Sequence, residues 1–203
     1  MIDNNVEYYN KNADLFFESS IDADMSDMRD RFLKFIPDGG KLLDAGCGCG
    51  RDSKAFHDAG YEVIAFDASE EMCKMASAYI GRSVRNLRFE EIDYDGIFDG
   101  VWACASLLHV TEGNLPNVME RIYRSLKPGG VLYASFKYGE GVCIRGDRSF
   151  IDFDEKSIIS LLVNAGFAVL SVEIGNDSRV GREQEKWVNA IGKKKIDAAM
   201  KDN

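Results

Sequence analysis

The stretch Leu42-Leu43-Asp44-Ala45-Gly46-Cys47-Gly48-Cys49-Gly50-Arg51 constrains the fold of this chain more than any other. A short apolar run ends in an acid, three glycines alternate with small residues, and a helical pattern begins at once. That succession predicts a buried strand, a tight turn and a helix N-terminus. Glycine accepts positive φ and lets a ligand approach the backbone closely. The first N–H groups of a helix lack intrahelical partners and favour an anionic ligand group. The turn is therefore expected to floor a nucleotide-like pocket, and the residues around it must say which nucleotide.

The rest of the chain supplies strands and helices in alternation. Apolar positions at helical spacing predict two cap helices within residues 1–36, and Pro37-Asp38-Gly39-Gly40 reads as a turn. Strands are predicted at 41–45, 61–66, 84–92, 100–104 and 131–136. Helices are predicted at 51–59, 69–80, 114–126 and 155–165, with Gly60, Gly81 and Gly166 as stop signals. Two late strands, 168–174 and 186–191, have no helix between them and are expected to pair antiparallel at one edge. The tail after Gly192 reads as a frayed helix. Alternation of this kind predicts a parallel sheet covered on both faces, with one domain whose core spans 41–192.

Composition narrows the function. With 34 acidic against 25 basic side chains the net charge is −9, which weighs against a nucleic-acid partner without excluding one. The N-terminus is polar and acidic rather than leader-like, and no apolar run approaches the ~20 residues of a membrane span. The five cysteines form no Cys-x-x-Cys pair. No disulfide frame or metal site is expected, and reduced thiols fit a cytoplasmic protein.

A dinucleotide fingerprint requires Gly-x-Gly-x-x-Gly. Here Gly46 and Gly48 fit, but the third glycine, Gly50, comes one place early. Asp67 ends the second strand, where a carboxylate can accept both ribose hydroxyls of either nucleotide class. Asp44 discriminates, because an acid before the glycines repels a pyrophosphate and suits a cofactor with a cationic amino-acid end. An NAD-dependent oxidoreductase is thereby disfavoured. Tyr133-Ala134-Ser135-Phe136-Lys137 carries the Tyr-x-x-x-Lys spacing of short-chain dehydrogenases, but on a strand those two side chains stand about 13 Å apart.

Leu43-Asp44-Ala45-Gly46-Cys47-Gly48-Cys49-Gly50 resembles the first motif of the class I S-adenosylmethionine-dependent methyltransferases. Ala65-Phe66-Asp67-Ala68-Ser69, Glu91-Ile92-Asp93, Phe98-Asp99-Gly100-Val101-Trp102 and Leu126-Lys127-Pro128-Gly129-Gly130 resemble their later motifs, in order, over residues 41–136. Tyr8-Tyr9 and Gly50-Arg51-Asp52-Ser53 resemble the small tellurite-resistance-type members. The resemblance implies a three-layer α/β/α sandwich around a Rossmann-like, seven-stranded, mostly parallel sheet with an antiparallel edge strand. It implies S-adenosyl-L-methionine as cofactor and S-adenosyl-L-homocysteine as product.

Residue by residue, the resemblance gives Gly46, Gly48 and Gly50 to the methionine moiety and Asp44 to its amino group. It gives Asp67 to the ribose diol, with Ala68 packing nearby. Ile92 would flank adenine and Asp93 would accept from its exocyclic amine. Tyr9 and Arg29 are candidates for an N-terminal cover. His109, just past the fourth strand, could take a proton from the acceptor or could simply bond the backbone of its loop, and His57 reads as structural. Tyr138, Arg145 and Arg148 are candidates for binding a small, anionic acceptor. A tRNA or protein acceptor, gripped with the help of Arg179 and Arg182, is the alternative. A non-catalytic S-adenosylmethionine-binding regulator is the alternative from outside enzymology. Oligomeric state is not legible.

Overall fold

Turn chemistry divides the N-terminal region into three short helices where periodicity alone predicts two. A computed structural model describes residues 4–196 of the 203-residue chain. Helices α1 (Asn4–Lys11) and α2 (Ala13–Ser20) are separated at Asn12, whose side-chain amide donates back to the Tyr8 carbonyl at 2.8 Å. Asp24 then accepts from the Ser26 N–H at 2.9 Å and starts α3 (Ser26–Leu33). A carboxylate on a free N–H at a helix start is the usual device for such a restart.

The core follows as β1 (Lys41–Ala45), α4 (Arg51–Asp58), β2 (Glu62–Asp67), α5 (Glu70–Ile80), β3 (Arg85–Asn86), β4 (Phe98–Ala103), α6 (Leu115–Ser125) and β5 (Leu126–Lys137). A hairpin of β6 (Gly141–Arg145) and β7 (Arg148–Asp152) comes next, then α7 (Glu155–Asn164), β8 (Phe167–Asn176) and β9 (Lys186–Lys194). The seven-stranded sheet has the order β3-β2-β1-β4-β5-β9-β8. Strands β3, β2, β1, β4 and β5 are parallel, and β9 pairs antiparallel with both β5 and β8 at the far edge. This is the three-layer, mostly parallel architecture expected, with antiparallel pairing confined to one edge.

Packing fixes which face each helix covers. Trp102 and Tyr133 stack at 3.9 Å between neighbouring strands, and Phe32 of α3 and Phe56 of α4 meet Trp102 edge-on at 5.3 and 5.4 Å. Gly100 permits the α3 contact, since a Cβ there would stand 2.5 Å from Phe32 and 2.6 Å from Ile36. The predicted strand over 84–92 is cut to two paired residues. Arg88 N–H turns to the Glu91 carboxylate at 2.8 Å, and Phe89–Glu91 closes as a 3-10 turn. The 126–130 turn is absorbed into the start of β5, with a register shift opposite Phe98–Gly100. Gly192 lies inside β9, and the tail expected to be helical lies, from residue 197 on, outside the described residues.

Candidate active site

A cavity of about 460 Å³ opens at the carboxyl ends of β1, β2, β4 and β5, where an open α/β sheet characteristically binds its ligand. Its floor is the turn from Asp44 to Arg51, and α1 and α2 close one side through Tyr9, Phe16 and Ser20. Gly46, Gly48 and Gly50 adopt φ of 74°, 53° and 81°, the left-handed region that favours glycine. They do three different things. A Cβ on Gly46 would meet Ser106 Cβ at 2.5 Å, so this glycine lets the loop after β4 close on the turn. A Cβ on Gly50 would meet Ile80 Cδ1 at 2.7 Å, so this one seats α4 against α5. Gly48 donates its N–H to Asp67 Oδ2 at 2.9 Å. Of the three, only Gly46 is part of the cavity wall.

Asp67 at the end of β2 also accepts from Ser69 N–H at 2.9 Å through Oδ1. Burial raises its pKa, and these N–H bonds work against that rise. Asp44 is 2% exposed and accepts from Ser53 Oγ at 2.6 Å. Burial, with the nearby Asp52 charge, pushes its pKa up to about 7. Asp52 is buried too, yet it is held below the ordinary carboxylate range by Arg51 and Arg29. It accepts from Arg29 at 2.7 Å, from Arg51 at 3.1 and 2.7 Å, and from Trp102 Nε1 at 3.0 Å. Two neighbouring carboxyls are thus driven apart, one firmly ionised and one poised near neutrality.

On the side closed by α1, Tyr9 Oη lies 2.8 Å from His109 Nε2 and accepts from Arg148 at 3.2 Å. His109 Nδ1 faces the Ser149 carbonyl at 3.2 Å. A carbonyl only accepts, so Nδ1 carries the proton and Nε2 accepts from the Tyr9 hydroxyl when the ring is neutral. Burial holds the Tyr9 phenol above its ordinary pKa. His109 therefore makes the backbone bond that was the alternative to a general-base role, and its other nitrogen meets Tyr9.

Several predicted site residues lie elsewhere. Asp93 points outward, its side chain 86% exposed and paired with Arg124 at 2.6 Å. Ile92 is buried in the core, and neither lines the cavity. The early end of β3 is the reason: the chain turns back at Phe89–Glu91, and Leu87, Arg88, Phe89 and Glu90 make that wall instead. Phe89 packs edge-on against Phe66 at 5.3 Å, an apolar pair lining the cavity that sequence reasoning missed. Arg29 supports the floor through Asp52 rather than covering the cavity. Tyr138 is 40% exposed on the surface. Arg145 is bound by Asp152 through both its terminal nitrogens. Tyr9, Asp44, Gly46, Asp67, Ala68, His109 and Arg148 all line the one cavity. Among the described residues no cluster of three or more His, Cys, Asp or Glu could hold a metal ion.

Residues 42–130 match the family profile described as a methyltransferase domain. Over those residues the chain resembles a methyltransferase domain, and its fold is the one shared by solved S-adenosylmethionine-dependent methyltransferases. Relatives agree. A Bacillus subtilis protein assigned as a methyltransferase, YqeM, is 32% identical over 62% of this chain and 56% of its own length. The chain spans about half the length, or less, of the curated relatives it matches. Among solved structures, the Burkholderia thailandensis 1,6-didemethyltoxoflavin-N1-methyltransferase superposes with a TM-score of 0.77 at 22% identity, over 95% of this chain and 86% of that one. It was solved with 1,6-didemethyltoxoflavin and S-adenosylhomocysteine bound. The cyclase SpnF superposes with a TM-score of 0.74 at 18% identity, over 96% of each chain. The methyltransferase fold alone therefore does not decide the reaction, which rests on the side chains of the site.

Proposed function

We propose that this chain transfers a methyl group from S-adenosylmethionine to a small-molecule acceptor. The observation that carries the reading is the pair of carboxyls that line the cavity beside the glycine turn, Asp44 buried and Asp67 half-buried. The residues fit the cofactor. Asp44, with one oxygen committed to Ser53, suits a cationic amino group. Each Asp67 oxygen makes one backbone bond and keeps a lone pair for a ribose hydroxyl. Phe66, Leu87 and Phe89 suit a flat base. Ser20 Oγ is buried in the wall with no hydrogen-bond partner and suits a carboxylate. A pyrophosphate would meet the acid at position 44.

The bound cofactor supplies an already activated methyl group on a sulfonium. The protein's part is to orient the acceptor and keep water away, which is worth up to ~7–11 kcal/mol in ideal cases. Helices α1 and α2, with Phe16 over the turn and Tyr9 beside it, provide that exclusion. Calorimetry with S-adenosylmethionine, S-adenosylhomocysteine and NAD tests the cofactor. A labelled methyl-transfer screen over metabolite pools, tRNA and cell protein tests the acceptor. Binding of NAD without S-adenosylmethionine overturns the reading. Binding without transfer to any pool supports a regulator instead.

A further inference from the structure

We propose that Arg148 is an oxyanion-binding residue, and that the acceptor carries a carboxylate or phosphate group held there; this rests on reading the cavity as a methyl-transfer site. Arg148 lies on β7, directly after the two-residue turn Gly146-Asp147, and lines the cavity. A guanidinium has five N–H donors. Arg148 commits one nitrogen, to Tyr9 Oη at 3.2 Å, and its Nε is buried with no partner. Among the described residues no carboxylate lies within ion-pairing distance of it. Its neighbours are rings instead: the guanidinium stands 4.5 Å from the ring of Tyr8, 5.7 Å from Tyr9 and 5.0 Å from Phe150.

Four other cations that line the cavity are matched by carboxylates. Arg51 pairs with Asp52, Arg179 with Asp177, and Lys137 and Arg182 with Glu185. Their charges are balanced inside the protein. The Arg148 charge is balanced by nothing but ring faces, which hold a cation in place without consuming its N–H donors. A half-buried guanidinium with uncommitted donors is suited to receive a carboxylate or phosphate through paired hydrogen bonds. The hairpin itself has one evident role: Arg145, its cross-strand neighbour, is neutralised by Asp152, and Arg148 is the cation left for the cavity.

The test uses ligand-observed NMR on the full chain with three probes of one shape: benzoate, phenyl phosphate and neutral benzamide. S-adenosylhomocysteine is titrated first, and its affinity also serves as the folding control for each variant. An anionic probe should bind about tenfold or more tighter than benzamide, the worth of one charge-assisted hydrogen bond. That preference should vanish in Arg148→Gln, and in Arg148→Met, whose flexible stem fills the same space between the rings. It should persist, reduced, in Arg148→Lys. Whether benzoate or phenyl phosphate is preferred distinguishes the two oxyanions. Equal binding of benzamide, no binding of either anion, or a preference that survives loss of the charge overturns the proposal. Failure of S-adenosylhomocysteine to bind instead sinks the methyl-transfer reading, and the same three probes on the chain alone still decide the oxyanion site.

Discussion

Asp44 carries a cost that the rest of the turn must bear. Its carboxyl, 2% exposed, is raised to about 7 by burial and by the Asp52 charge, against 3.8 for the free group. The folded chain therefore holds this proton more tightly than the unfolded chain does. Stability falls as pH rises from about 4 to about 7, and levels off above that. Asp44→Asn removes the titration while its amide oxygen still accepts from Ser53. The variant should be more stable than wild type at pH 8, by about 2–4 kcal/mol in urea unfolding, with the gap closing towards pH 5. Unchanged stability at pH 8 would show that Asp44 is solvated. The same variant should lose S-adenosylmethionine, because its amide cannot neutralise an ammonium group. Asp67→Asn makes the complementary case. An amide cannot accept with both ends, so either Gly48 or Ser69 loses its acceptor, and one ribose bond goes with it. Cofactor affinity should fall about 10–100-fold by calorimetry. Retained affinity would place the ribose elsewhere.

Helix α3 reaches the sheet only because Gly100 leaves room for Phe32 and Ile36. Gly100→Ala puts a Cβ 2.5 Å from Phe32, inside a face already filled by Trp102 and Phe56. Overpacking of this kind costs about 1–3 kcal/mol, which for a chain of this size lowers Tm by roughly 2–12 °C. A melting curve that does not move would mean α3 shifts freely. The fourth strand was legible in the apolar run at 100–104, and so were the antiparallel edge pair and the glycine turn, because burial on both faces writes itself as apolar runs. What escaped was decided by single side chains. Asn12 and Asp24 cut the N-terminal region into three helices. Glu91 ended the third strand early, which removed Ile92 and Asp93 from the wall and put Phe89 in it. The β6–β7 hairpin left a signal that was not used: Gly146-Asp147 between alternating residues, with Gly146 at φ 60°, is a two-residue turn. Without that hairpin, Arg145 and Arg148 looked equivalent. The ion pair from Arg145 to Asp152 separates them.

For the molecule as a whole, charge and cavity argue in opposite directions. The net charge of −9 repels polyanions over the surface, while the cavity is lined by Arg51, Arg88, Lys137, Arg148, Arg179 and Arg182. A small anionic acceptor resolves this, since it escapes the long-range repulsion by being small and meets the local cations inside. Arg51, Lys137, Arg179 and Arg182 are already paired with carboxylates, so few remain for a chain of phosphates. Transfer to a small acceptor should therefore depend weakly on salt, changing less than about threefold between 50 and 200 mM, because it engages at most one or two charges. A tRNA acceptor gripped through six to ten phosphates would lose about 10³–10⁵ in affinity over the same range. Initial rates of label transfer at sub-saturating acceptor, measured across that range, separate the two. A steep slope with label in purified tRNA would overturn the small-acceptor reading and assign the arginines to a phosphate backbone. A flat slope with label in an anionic metabolite, abolished in Arg148→Gln, would join the residue to the reaction.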